Sequence, residues 1–252
     1  QAPSSVTIVT AEEIARLGYT TLAEALNGVA GLYTRDDHNY SYVGIRGFAQ
    51  PGDYNTHVLI LVDGHRLNEL VGDRGDLGEE LAVELASVDR IEVVRGPGSS
   101  LYGSSAFFGV INLITRPAGQ APGLYVSSRV GARGERRGAL AAEGRLRDGT
   151  GWSLSGSYLQ SDGERRAYYP AFDSPETSFG VAENADAENA ARLHGALRHG
   201  SLEVRGGFLR RGKHIPTAAF ETVFNDPRTR RVDTRAFLFA TWERDVRPGW
   251  GL

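Results

Sequence analysis

Cysteine and methionine are both absent from the 252 residues. Without cysteine there is no disulfide framework, no thiolate zinc site and no cysteine nucleophile. Lysine is almost absent: of the 28 Lys and Arg residues, only Lys213 is a lysine. Against 31 Asp and Glu, these leave a formal net charge of −3, whereas a general nucleic-acid binder carries a basic excess. Long hydrophobic runs are missing too. No run exceeds the length of Val58–Val62, which falls far short of the ~20 apolar residues of a membrane helix. That excludes a membrane helix but not a membrane barrel, whose strands alternate and escape hydropathy scans. No basic-then-apolar leader stands at Gln1, as expected of a mature or trimmed product.

Enzyme signatures are also lacking. Gly98 and Gly103 give half of a phosphate loop, but Ser104 follows where the phosphate-clamping lysine belongs. Gly96 and Gly98 are followed by Leu101, so the dinucleotide fingerprint fails. No serine sits in a G-x-S-x-G elbow. The histidines at 38, 57, 65, 194, 199 and 214 show no metal-ligand spacing. Asp73, Asp76 and Glu79-Glu80 are too irregular for a calcium loop and read as a solvated acidic turn. These patterns argue against an enzyme, a resident metal and a resident cofactor.

What is present divides into two halves with different periodicity. Residues 1–118 read as mixed α/β. Thr10 with Glu13, and Thr21 with Glu24, are capping-box pairs. Ile14 and Leu17 share a face before Gly18, and Leu22, Ala25, Leu26 and Val29 form an apolar helical stripe. Strands are expected at Val43–Arg46, Val58–Val62, Ile91–Arg95 and Val110–Thr115, with a helical turn over Ser100–Ala106. Residues 119–252 alternate with period 2 in six segments. Leu193 and Leu197 stand against Arg192 and Arg198, for example, and Val204 and Phe208 against Glu203 and Arg205. The links between segments alternate as well. Asp148–Gly151, His199-Gly200 and Arg247–Gly249 are tight, while Gly163–Glu188 and His214–Arg230 are long. Short turns on one side and long loops on the other fit an outer-membrane barrel. A soluble β-sandwich shows the same alternation, so periodicity alone leaves both open.

The first half carries a more specific signal. It contains, in order, Ser5–Thr10 with Ala11–Gly18, then Thr21–Leu26 with Val29–Leu32. Ile45-Arg46-Gly47-Phe48 and Val58–Arg66 follow, and then Asp89–Pro97, Ser100–Gly103 and Gly109–Arg116. In that order and spacing the half resembles the plug domain of TonB-dependent outer-membrane receptors over nearly its whole length. Ala106-Phe107-Phe108-Gly109 departs from the small, Gly-rich segment common in that family. The resemblance implies an α+β plug at residues 1–118. It implies that residues 119–252 begin an antiparallel transmembrane β-barrel, with at most about seven of the roughly 22 strands of a family barrel. It also implies a Gram-negative outer-membrane protein in contact with lipid, energised through TonB by a contact box not seen in this chain.

Candidate site residues come from the same resemblance. Arg46, Arg95 and Arg116 lie beside strands and are expected, with Glu92, to form ion pairs that hold plug to barrel. Buried pairs of this kind must be matched, or they cost several kcal/mol. Three plug loops match the family's ligand-facing loops by position: Arg35–Tyr42, Ala49–Asn55 and Asn68–Asp76. They hold His38, Tyr40, Tyr42, Gln50, Asp53, Tyr54, Asp73 and Arg74, a mixture of aromatics and charge suited to a bulky metal chelate. Tyr168 and Tyr169 are further candidates in the long loop. An iron–siderophore is the commonest cargo of such receptors. Cobalamin, heme, other metal chelates and oligosaccharides remain alternatives, as does a non-transporting surface receptor or adhesin.

Overall fold

The computed structural model describes residues 5–49, 52–120, 122–243, 245–247 and 250–251. It divides into two compact units, Gln1–Arg116 and Pro117–Leu252.

The N-terminal unit opens with strand β1 (Ser5–Thr10) and helix α1 (Ala11–Leu17). The Thr10 hydroxyl accepts from the Glu13 amide at 3.2 Å, and the Glu13 carboxylate accepts from the Thr10 amide at 2.9 Å. Two otherwise orphaned donors at the helix start are thereby satisfied. Gly18, at φ 69°, ends the helix in the left-handed conformation that disfavours a side chain. Thr21 and Glu24 repeat the capping box on α2 (Leu22–Asn27), which buries Leu22, Ala25 and Leu26.

Strands β2 (Leu32–Asp36) and β3 (Ser41–Ile45) form a separate hairpin. Arg35 therefore pairs with Tyr42, and the first expected loop is reduced to residues 37–40. Strand β4 (Val58–Val62) follows with all five residues buried, then β5 (His65–Arg66), β6 (Val88–Arg95), the short helix α3 (Ser99–Tyr102) and β7 (Gly109–Thr115). The main sheet runs β1-β6-β7-β4-β5, and only β4 and β7 pair in parallel. Strand β6 starts three residues earlier than expected, because Thr10 to Ser5 and Thr115 to Gly109 flank it on both edges. Between β5 and β6 two members of the expected solvated acidic turn, Asp76 and Glu80, are instead packed inside, while Asp73 stays about half exposed. Glu80 is buried and accepts from the amides of Leu77 and Gly78, and Asp76 is buried against Arg74. Each carboxylate has a local donor that compensates its lost hydration.

The C-terminal unit is built on β8 (Gly123–Val130), β9 (Arg136–Arg145) and β10 (Gly151–Ser161), followed by a small hairpin of β11 (Arg166–Tyr168) and β12 (Val181–Glu183). Strands β13 (Glu188–His199), β14 (Leu202–His214) and β15 (Arg230–Trp242) complete it. Six strands pair antiparallel in the order β15-β14-β13-β10-β9-β8. Edges remain at β8 and β15, so the described strands do not close a barrel. Residues 146–150 and 200–201 connect strands at one end, and 131–135, 162–187 and 215–229 at the other. Of the expected tight turn at Arg247–Gly249, residues 248 and 249 lie outside the described residues.

Burial on this sheet is inverted relative to a water-soluble protein. Leu193 is 52% exposed and Leu238 77%, while Arg192 is 7%, Arg205 4% and Arg211 3%. The two classes lie mostly on opposite faces along β13, β14 and β15, although Leu209 is buried on the inner face and Arg210 is exposed on the outer one. The buried face carries its own counter-charges: Arg211 meets Glu188 at 2.5 Å and Asp233 at 3.3 Å, and Arg205 pairs with Glu203. Polar groups inside and an apolar band outside are what a lipid-facing barrel wall requires. A soluble sandwich would turn these faces round, so the alternative left open by periodicity falls. Among the described residues no helix is long and apolar enough to cross a membrane.

Candidate functional site

In the N-terminal unit the segments around β3, before β4 and after β5 are stapled together by one side chain. Asn55 is buried in a left-handed turn, at φ 60°. Its Oδ1 accepts from the Val43 amide at 2.9 Å, and its Nδ2 donates to the carbonyls of Ser41 at 2.9 Å and Gly75 at 2.8 Å. Asn68 acts similarly one turn away, accepting from the Ile60 amide and donating to the carbonyls of Val58 and Asp73. Neither asparagine stands out in the sequence. The only signal, and for Asn55 alone, is the tolerance of Asn for left-handed backbone.

These staples gather aromatic rings. Tyr40 and Tyr54 meet edge-on with centroids 5.7 Å apart, and Tyr42 and Tyr54 lie 5.6 Å apart. The Arg74 guanidinium sits 4.1 Å from the centre of the Tyr40 ring and donates to Asp76 at 2.9 Å. A cation over an aromatic face is held by the ring quadrupole. The Tyr42 hydroxyl donates to Asp37 at 2.6 Å. Burial, then that hydrogen bond and the Asp37 charge, raise the Tyr42 phenol well above its ordinary pKa, so it stays protonated. Asp37 also accepts from the amides of Asn39 and Tyr40, and Asp36 from that of His38, which fixes the hairpin tip. His38 lies at that tip with φ 66°.

The remaining expected residues sit apart from this ring cluster. Asp53 accepts from Thr56 and lies 2.9 Å from His57 Nδ1. Asp73 pairs with Arg66 at 2.6 Å. Gln50 lies outside the described residues. Beyond the expected set, Leu70 and Val71 stand almost fully exposed at the tip of the third loop. They are raised on a turn in which Glu69 accepts from the amides of Val71 and Gly72. His57, Phe107 and Phe108 form another aromatic group, with Phe48 stacked on Phe108 at 6.1 Å.

The family model of the TonB-dependent Receptor Plug Domain matches residues 1–110. Residues 1–110 thus carry the likeness of a TonB-dependent receptor plug. The TonB-dependent receptors it resembles are Gram-negative outer-membrane proteins, and the chain has a plug-type fold in its first half and antiparallel barrel-type strands in its second. Among solved structures it is similar to the ferric yersiniabactin uptake receptor FyuA of Yersinia pestis, at 24% identity and TM-score 0.62, covering 84% of this chain and 32% of that one. It is similar to the ferric enterobactin receptor PfeA of Pseudomonas aeruginosa at 25% identity and TM-score 0.63, covering 84% and 34%. The pyoverdine-bound FpvA of P. aeruginosa matches over the whole chain and 33% of its own length, at 16% identity and TM-score 0.70. The chain thus spans about a third of the length of these receptors.

The four residues expected to tie plug to barrel have these surroundings within the plug. Arg46 occupies a tight turn at φ 53° in which Ile45 and Phe48 exchange backbone hydrogen bonds, and its guanidinium donates to the Arg95 carbonyl at 3.3 Å. Arg95 donates to the Ala30 carbonyl, to Ser5 at 2.7 Å and to Thr7 at 3.0 Å, so it fastens β1 to β6. Glu92 meets Arg90 at 2.9 Å rather than any of the three expected arginines. The Arg116 amide donates to the Ser87 carbonyl.

In the barrel unit a cavity of about 540 Å³ lies at the tight-turn end, lined by Ala118, Arg145, Gly149 and Arg198 among others. The long connections lie at the other end of the strands. Among the described residues no group of three or more His, Asp or Glu is placed to hold a metal ion.

Proposed function

We propose that the complete receptor takes up a ferric siderophore across the outer membrane, with TonB pulling on the plug to release it inward. The gathering of Tyr40, Tyr42, Tyr54 and Arg74 by Asn55 carries this reading. Tyr40 is buried beneath Arg74, so the half-buried Tyr42 and Tyr54 are the rings left to meet a bulky chelate. Likeness to the ferric enterobactin receptor at 25% identity supports iron over other cargo. His38, Gln50, Asp53 and Asp73 are proposed as surrounding contacts, and Tyr168 and Tyr169 as contacts from outside. Arg46, Glu92, Arg95 and Arg116 are proposed to face carboxylates and arginines of the barrel wall. Domain limits of 1–118 for the plug and 119 onward for the barrel belong to the same proposal.

The test is growth. A bacterium lacking its own ferric-siderophore receptors is given the full-length protein and starved of iron. Ferric enterobactin, ferric yersiniabactin, ferric pyoverdine, heme and cobalamin are then supplied singly. Rescue by a ferric siderophore, reduced about tenfold or more in apparent affinity by Arg74→Ala, is expected. Rescue by heme or cobalamin alone would replace iron–siderophore with that cargo.

A further inference from the structure

The only lysine of the chain is buried. Lys213 ends the inner face of β14 at 6% exposure, where every neighbouring cation is arginine. Its Nζ donates to Asp186 Oδ1 at 2.5 Å and to the Asp186 carbonyl at 2.7 Å. Two acceptors on one residue suit a compact ammonium with three donors better than a planar guanidinium fork. The other oxygen of the same carboxylate accepts from the Glu164 amide at 2.9 Å. Asp186 therefore joins the exit of the 162–187 connection to its entrance, and Lys213 joins both to the point where the 215–229 connection leaves the sheet. Gly163 is required beneath this knot. It has φ 69°, and a Cβ there would fall 2.1 Å from the Asp186 carbonyl oxygen.

The two long connections also share a small core above it. Phe172 stacks on Phe224 at 4.5 Å, and Tyr169 meets Phe224 edge-on at 5.9 Å. The Glu183 amide donates to Asn225 Oδ1 at 2.9 Å, and the His214 amide to the Ala187 carbonyl at 2.8 Å. Ile215, Ala182 and Ala185 are buried with them. The shorter connection on the same side joins through Arg133, which meets Glu164 at 2.6 Å.

We propose that residues 162–187 and 215–229 form one preassembled cap, and that Lys213 is the positioning residue that holds it. The two loops then open and close together rather than one at a time. That the cap meets the incoming chelate rests on the receptor reading above; the coupling of the loops does not. Removing one member of a buried pair strands the other charge, so the loss of Lys213 is expected to loosen both loops at once.

Hydrogen exchange on the full-length receptor in detergent or lipid tests this without any ligand. Lys213→Met is expected to speed amide exchange about tenfold or more in both 162–187 and 215–229, leaving the tight turns 146–150 and 200–201 unchanged. Phe224→Ala, which lies outside the sheet, is expected to loosen both loops even if Lys213→Met fails to assemble. In a Lys213→Met, Phe172→Cys, Phe224→Cys receptor, a short bis-maleimide crosslink is expected to restore protection. These 252 residues hold no other cysteine to compete with the pair, and a lysine needed only for barrel stability would not be rescued by it. Loosening of one loop without the other, in either variant, would overturn the proposal. Failure of every siderophore in the growth test would leave these exchange results standing.

Discussion

At the scale of single residues, the plug platform depends on side chains that satisfy backbone. Asn55 uses both its acceptor and its donors on three partners, of which Val43 and Gly75 are buried. Leaving buried groups unpaired costs about 1–3 kcal/mol each. Asn55→Ala is therefore expected to raise amide exchange at Val43 by roughly tenfold to a hundredfold, since 1.4 kcal/mol is about a factor of ten. Unchanged protection at Val43 would show that the loops are held otherwise. A second residue-scale expectation concerns pH. Burial, with the nearby charges of Asp186 and Glu164, pushes the Tyr169 phenol up to about 12. The folded protein thus keeps a proton that the unfolded chain loses near pH 10, so this residue's contribution to stability falls as pH climbs from about 10 through about 12. In an alkaline absorbance titration, Tyr169→Phe is expected to remove a late-ionising tyrosine and leave the earlier ones unchanged.

At the scale of elements, two periodicities read in the sequence correspond to two kinds of solvent contact. The capping boxes at Thr10 and Thr21 fixed the starts of α1 and α2 in advance, because both partners lie within one helical turn. In β13 to β15 the alternation was equally legible, since it is a property of each strand alone. Which face meets lipid depended on the sheet. Leu238 projects from the exposed face of β15, beside Gly206 of β14. Leu238→Arg is expected to cost about 2–4 kcal/mol if it lies near the bilayer midplane. Reversible unfolding of the full-length receptor into urea in the presence of lipid measures this. A cost near zero would place Leu238 at the interface or in water.

At the scale of the whole molecule, the inverted sheet makes an accessibility prediction, and these 252 residues hold no cysteine of their own to add background. Single cysteines at Leu193, Leu197, Val204 and Leu238 in the lipid-embedded receptor are expected to resist a charged, water-soluble maleimide. Cysteines at Ser153 and Arg205, on the opposite face, are expected to react with it faster. Equal labelling of the two sets would remove the barrel reading. The same inversion explains why hydropathy found nothing: each strand is only half apolar, so no window of sequence stands out.

Local chemistry made much of this protein legible from sequence alone. The motif series from Ser5 to Arg116 identified the plug, because turns, caps and buried strands such as Val58–Val62 are specified by neighbouring residues. Candidate loop residues were also found by position, yet nothing local showed that Tyr40, Tyr54 and Arg74 meet while Asp53 and Asp73 turn to His57 and Arg66. Those choices depend on Asn55 reaching residues up to 20 positions away. Glu80 and Asp76 read as solvated for the same reason, since their burial is set by packing across the unit. Lys213 was conspicuous only as a rarity. Its role appeared once β13 and β14 paired and brought Asp186, 27 residues distant, within reach of its ammonium. Sequence determines contacts made within a turn or along a strand; contacts between distant segments are decided by strand register and close packing, which only the folded chain supplies.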